Sequence, residues 1–137
     1  MYLSPVFKDF NEDGQDDLTV VTSSAARASN EVRTLILLDP KKPKFRVVPN
    51  SEHYPNLDYN PQTNCITSVA YHAGTTTHFL ELQNDSLVPV AAVDLVDGYM
   101  KSEVIKSDEW ITIACDSNYK ADYVRFCNYD PVIICDP

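Results

Sequence analysis

No apolar run in this sequence approaches the roughly 18 residues that a membrane-spanning helix needs. The apolar stretch Thr34-Leu35-Ile36-Leu37-Leu38 has the length of a buried strand. A stripe of Lys and Arg is also missing. Against 20 acidic residues there are 11 basic ones, a net charge of −9, so little in the chain could neutralise a phosphate backbone, which argues against nucleic acid as a partner. There is no G-x-S-x-G elbow for a serine nucleophile and no C-x-x-C pair for a zinc ribbon or a thioredoxin-like site. No long stretch carries a helical period. Met1 runs directly into Tyr2-Leu3-Ser4-Pro5, with neither the basic n-region nor the apolar h-region of a secretory signal.

What remains is a globular composition, 44% hydrophobic and 23% charged, over 137 residues, the size of a single β domain spanning 1–137. Strand-like runs recur about every ten residues between turn signals, the spacing of an antiparallel meander. The pattern predicts strands over Tyr2–Phe7, Leu18–Thr22, Glu31–Asp39, Lys44–Val48, Cys65–His72, His78–Leu82 and Leu87–Leu95. Four more follow over Tyr99–Ile105, Trp110–Cys115, Tyr123–Cys127 and Val132–Cys135. Asp97-Gly98 is a primed-turn hairpin signal. Ser23–Asn30 reads as a flexible loop or one helical turn, and Pro49–Asn64 as a long irregular stretch. The expected fold is all-β: an antiparallel meander, sandwich-like or partial propeller-like.

One stretch organises the rest. Asp9-Phe10-Asn11-Glu12-Asp13-Gly14-Gln15-Asp16-Asp17 spells D-x-N-x-D-G-x-x-D. Side-chain oxygens fall at positions one, three, five and nine (Asp9, Asn11, Asp13, Asp17), Gly14 supplies the turn, and Gln15 offers its backbone carbonyl. Ca²⁺ takes about six to eight oxygens, and this order of donors wraps one ion. An EF-hand would place a Glu at position twelve between two helices; here Val20 stands there inside a β-branched run, so the loop joins two strands. The competing reading is a solvated Asx-rich turn.

The run Asp9–Leu18 resembles the calcium loop of FG-GAP-type β repeats. The order that follows (Leu38-Asp39-Pro40-Lys41, Phe45, Pro55-Asn56-Leu57, Tyr59-Asn60-Pro61, Tyr71-His72-Ala73-Gly74) is similar to a family of bacterial periplasmic proteins over roughly residues 3 to 95. Members are small β proteins that act as immunity proteins or inhibitors against peptidoglycan-degrading enzymes, including type VI secretion amidases and lysozymes. The resemblance implies a structural Ca²⁺, no catalysis, a periplasmic location with Met1 standing where a signal peptide has been replaced, and a cognate cell-wall amidase as partner. A lysozyme inhibitor and a calcium-binding adhesive module are the alternatives. Lysozyme inhibitors of this kind carry a Ser-Gly-x-x-Tyr signature; this chain has Ala73-Gly74 and no Tyr three residues on, which favours the amidase.

The segment Tyr71, His72, Gly74, Thr75, Thr76, Thr77 and His78 reads as a hydroxyl-rich hairpin tip between two imidazoles, able to enter an active-site cleft. Ser51, His53 and Tyr54 form a second, exposed candidate surface. A plain hairpin turn is the alternative for both. Acidic charge suits a basic wall-degrading enzyme, although it also serves ordinary solubility. Cys65, Cys115, Cys127 and Cys135 are an even set, read as two disulfides in an oxidising compartment; three pairings are open, and bridges that tie the final strands together and anchor Cys65 to them are favoured among these. Pairing of Cys65 with His72 or His78, as a thiol–imidazole couple or a zinc site, is the weaker use of those residues. A homodimer is compatible with everything above.

Overall fold

The computed structural model describes residues 4–25, 27, 29–130 and 132–135. Among them there is no α-helix; twelve strands form three antiparallel sheets, and no helix is long and apolar enough to cross a membrane. The first sheet, in the order β1-β2-β3-β4, comprises Val6–Lys8, Asp17–Ala25, Asn30–Leu38 and Phe45–Val47. Its sequential connectivity is that of a propeller blade. The second sheet has six strands in the order β10-β9-β8-β7-β6-β5. They are β5 Asp58–Asn60, β6 Cys65–Tyr71, β7 Gly74–Gln83, β8 Ser86–Val96, β9 Tyr99–Lys106 and β10 Glu109–Asp116. A closing hairpin, β11 Phe126–Tyr129 and β12 Val132–Ile134, forms the third.

Only three glycines serve this many turns. Short polar residues that tolerate the left-handed region take the corners instead: Asn84-Asp85, Asp97-Gly98 and Ser107-Asp108 all have positive φ at both positions, as primed two-residue turns require. Pro89, which lacks a ladder N–H, falls at an irregularity of β8 beyond the reach of pairing with β9.

Two apolar clusters hold three layers together. Phe10, Leu35, Leu37, Val48 and Leu57 pack from the first sheet and its connections against Ile66, Leu80 and Leu87 of the second. On the opposite face of the six-stranded sheet, Phe79, Ala91, Val93, Leu95, Met100 and Val104 receive Phe126 of the closing hairpin, flanked by Tyr119, Val124 and Tyr129. Strand β6, next to the edge strand β5, is therefore buried on both faces through Val69. Asparagines clamp the first two layers: Asn30 donates to the Tyr71 carbonyl (2.8 Å) and accepts from the Tyr71 N–H (2.7 Å). Asn56 likewise donates to the Ser29 (2.9 Å) and Val69 (2.8 Å) carbonyls.

Three expectations need correcting. Ser23–Ala25 and Asn30 are strand and not loop: β2 runs to Ala25 and β3 starts at Asn30, because Ser23↔Val32, Ser24↔Glu31 and Ala25↔Asn30 pairing overrides weak local propensity, while residues 26 and 28 lie outside the described residues. Tyr123 has φ +52° and lies outside the sheet, so the eleventh strand begins only at Phe126. Among the cysteines, Cys127 and Cys135 form one disulfide across the closing hairpin, while Cys65 and Cys115 are free thiols. Cys65 is buried facing the hairpin core, and its Sγ donates to the Thr63 carbonyl at 3.3 Å instead of bridging. One disulfide remains compatible with an extracytoplasmic protein.

Candidate calcium loop and recognition surface

The Asp9–Asp17 connection between β1 and β2 is shaped by its own carboxylates. Asp9 accepts the N–H groups of Asp13 (3.2 Å) and Gly14 (2.9 Å), Asn11 accepts that of Asp13 (3.2 Å), and Asp13 accepts that of Gln15 (2.9 Å). Glu12 (φ +57°) and Gly14 (φ +88°) take the left-handed corners this coil needs. Asp17 is different. It is fully buried, and its two oxygens accept the backbone N–H groups of Phe10 (2.9 Å) and Leu38 (2.9 Å), fastening the loop's entrance to the end of β3. Burial pushes its carboxyl above the usual range, against the two backbone hydrogen bonds, and the neighbouring charges of Asp13 and Asp9 push the same way.

The donor chemistry fits a hard cation. Each oxygen of Asp9 and the Oδ1 of Asp13 takes one hydrogen bond from the loop's backbone, and a carboxylate has about four lone-pair sites. Asp9, Asp13 and Asp17 concentrate negative charge in nine residues. Side-chain convergence is weaker: among the described residues no group of three or more His, Cys, Asp or Glu meets at a point that could hold a metal ion. Gln15 directs its side-chain amide to the Asp16 carbonyl at 3.3 Å.

The hydroxyl-rich tip is not where the sequence places it. The hairpin turn is His72-Ala73 alone, both exposed, closed by the His72 N–H on the Gly74 carbonyl at 3.0 Å; β7 starts at Gly74. Thr75 and Thr77 are fully buried and turned toward the closing hairpin: the Thr75 hydroxyl donates to the Val124 carbonyl (3.1 Å) and Thr77 Oγ1 accepts the Phe126 N–H (3.4 Å). Gly74 is buried for a packing reason, since a Cβ there would lie 1.8 Å from the Leu95 carbonyl oxygen. These three residues are thus removed from any contact surface. So is Ser51, fully buried, whose hydroxyl bonds the Val48 carbonyl (2.8 Å) and the Leu35 N–H (3.0 Å). His53 beside it is exposed, and Tyr54 packs edge-on against His78 with ring centroids 5.8 Å apart.

Thr76 alone of the three threonines faces away from the closing hairpin. Its hydroxyl donates to Asp94 (2.7 Å) and meets His72 Nε2 (2.9 Å), so the hydroxyl sits between the imidazole and the carboxylate. His78 is mostly buried; burial lowers its pKa, Asp94 opposes the shift, and its Nδ1 has no hydrogen-bond partner. Neither imidazole is a hydrogen-bond partner of Cys65, whose thiol is pushed up by burial.

Tertiary structure adds residues that no local pattern marked. Tyr123, 56% exposed, stands beside the His72-Ala73 turn; with Ser29 and Tyr71 it lines one shallow depression, and with Ala73, Asp97 and Asp122 another. The turn, two acidic side chains and an exposed phenol share one end of the six-stranded sheet.

The comparisons support the fold. No family model and no curated protein matches the chain. The fold resembles a solved Xanthomonas structure. That protein, described as type IV secretion system related, aligns with a TM-score of 0.61 at 18% identity over 81% of this chain. The chain spans 58% of its length.

Proposed function

We propose that this protein is a periplasmic immunity protein: it binds and inhibits a peptidoglycan-degrading amidase that a neighbouring cell delivers through a secretion system. The observation that carries the reading is the end of the six-stranded sheet, where His72-Ala73, Tyr123, Asp97 and Asp122 are presented on a base that cannot yield. Gly74 lies hard against the Leu95 carbonyl, and Asn30 clamps Tyr71 from the first sheet. A rigid exposed turn with an aromatic neighbour loses little conformational entropy on docking. The acidic surface steers toward a basic wall-degrading enzyme.

The resemblance over residues 3 to 95 names type VI effectors, whereas the description of the structural neighbour concerns type IV secretion. The proposal therefore rests on the target's chemistry and leaves the delivery route to the genetic context. Ca²⁺ held by Asp9, Asn11, Asp13 and the Gln15 carbonyl would neutralise the loop's charge and brace β1 against β2. In that arrangement Asp17 ties the loop to β3 through Phe10 and Leu38.

The test mixes the protein with a wall amidase encoded beside it and measures complex formation by calorimetry and residual peptidoglycan cleavage. The expected result is a complex without cleavage, weakened by more than about tenfold by Tyr123→Ala or His72→Ala, the scale of an interface hot spot. Binding that leaves cleavage at full rate would defeat the active-site mechanism, and no binding would defeat the assignment.

A further inference from the structure

A cleft of about 630 Å³ opens between the edge of the six-stranded sheet at β5–β6 and the closing hairpin. Tyr71, Tyr123, Val124 and Ile134 give it apolar lining, and Asp58, Asn60 and Thr67 polar lining. Among the described residues, Arg125 is the one cation lining it.

The guanidinium is under-used. Of its five N–H donors, one on Nη2 bonds the Asn56 carbonyl, and the Nε–H is buried with no hydrogen-bond partner. Its acidic neighbour, Asp58, holds Oδ2 3.7 Å from Nη1, too long for a good hydrogen bond, while the other oxygen is engaged elsewhere. Asp58 Oδ1 takes Lys8 Nζ at 2.5 Å and the Tyr59 N–H at 2.8 Å. Two cations thus share one carboxylate, leaving one positive charge over in a chain of net charge −9. A half-buried fork of donors with spare capacity, beside tyrosine rings and in a cleft within the usual 300–1,000 Å³ range of ligand sites, suits a planar anion on an apolar body.

We infer that this cleft binds an organic carboxylate bearing an aromatic or branched aliphatic group, with Arg125 receiving the carboxylate and Tyr71, Tyr123 and Val124 the apolar body. A free N-blocked amino acid and the C-terminus of a peptide share that chemistry. The site adjoins the proposed amidase contact and shares Tyr71 and Tyr123 with it.

The experiment titrates the intact protein with N-acetyl-phenylalanine, with its amide, and with a pentapeptide ending in phenylalanine as free acid or amide. It follows the Arg125 side-chain Nε–H signal in the ¹H–¹⁵N spectrum. The expected result is a saturable shift with the acids and at least about tenfold weaker binding of the amides, since a charge-assisted hydrogen bond exceeds a factor of ten. Tighter binding of the pentapeptide acid than of N-acetyl-phenylalanine would assign a peptide terminus; the reverse would assign a small acid. Arg125→Gln should abolish the preference for acid over amide. If that variant does not fold, Tyr123→Ala, at an exposed side chain, should weaken both acids alike while keeping the preference. Equal binding of acid and amide, or no shift with any probe at millimolar concentration, overturns the inference.

Discussion

Removing the Asp17 carboxylate separates two roles that the loop's acids could play. Asp17→Ala removes the acceptor that the Phe10 N–H, buried, and the Leu38 N–H, part-buried, now use. Each buried unsatisfied donor costs about 1–3 kcal/mol, so the loss is about 2–6 kcal/mol before any relief. Relief comes from no longer burying a carboxylate beside Asp9 and Asp13, which brings the expected net to about 2–4 kcal/mol. For a chain of this length that corresponds to a melting temperature lower by roughly 8–16 °C. Asp13→Ala is the contrasting variant: Asp13 is exposed, and its contacts stay within the loop. In chelator its melting curve should follow the wild type to within about 2 °C. In calcium at ten times the dissociation constant, linkage should raise wild-type stability by about 1.4 kcal/mol, and Asp13→Ala should lose that increment. Circular-dichroism melts of the three proteins, with and without Ca²⁺, decide the matter. An unshifted Asp17→Ala in chelator refutes the tie to β3; a calcium increment that survives Asp13→Ala refutes the ion site.

Two further outcomes follow from buried groups. Gly74→Ala must push β7 away from the Leu95 carbonyl and should cost about 3 kcal/mol in urea unfolding, as overpacking against backbone does; a neutral result would mean the β7–β8 approach is not close. His78, whose folded pKa is depressed by burial, holds stability that is complete above its ordinary value near 6.5 and is lost as pH falls from there through the folded pKa. The urea midpoint should therefore drop from pH 7.5 to pH 5 in the wild type, and His78→Leu should flatten that slope; an unchanged slope would assign it to the carboxylates.

The strands were legible because their signals are local. Alternation over Cys65–Tyr71, the β-branched run after Asp17 and the Asp97-Gly98 corner each need only neighbours in sequence to be read. The Thr75-Thr76-Thr77 run was misplaced for a reason equally physical. A glycine beside small hydroxyls looks like a turn, yet threonine is a strand former, and Gly74 is glycine to let one backbone approach another. No period or motif reports a carbonyl 21 residues away. Ser51 misled in the same way: a serine in a proline-rich stretch reads as solvated, but it satisfies the backbone of β3 from inside.

Tyr123 and Arg125 lie in a segment that reads as an ordinary strand, so their importance appears only once β11 is seen lying across the six-stranded sheet. What holds it there is largely polar. Thr75 bonds the Val124 carbonyl and Thr77 the Phe126 N–H; Ser102 bonds the Tyr129 carbonyl, and Asn60 donates to the Cys127 carbonyl at 2.9 Å. A purely apolar face could bury Phe126 but would leave those backbone groups unsatisfied, at a cost for each that buried hydrogen bonds avoid. The buried hydroxyls of Thr75 and Thr77, which look like part of a recognition tip, instead help set the position of the segment that lines the exposed end and the cleft. Thr77→Val, which keeps the shape and removes the acceptor for the Phe126 N–H, should therefore loosen the closing hairpin before it disturbs the sheet beneath.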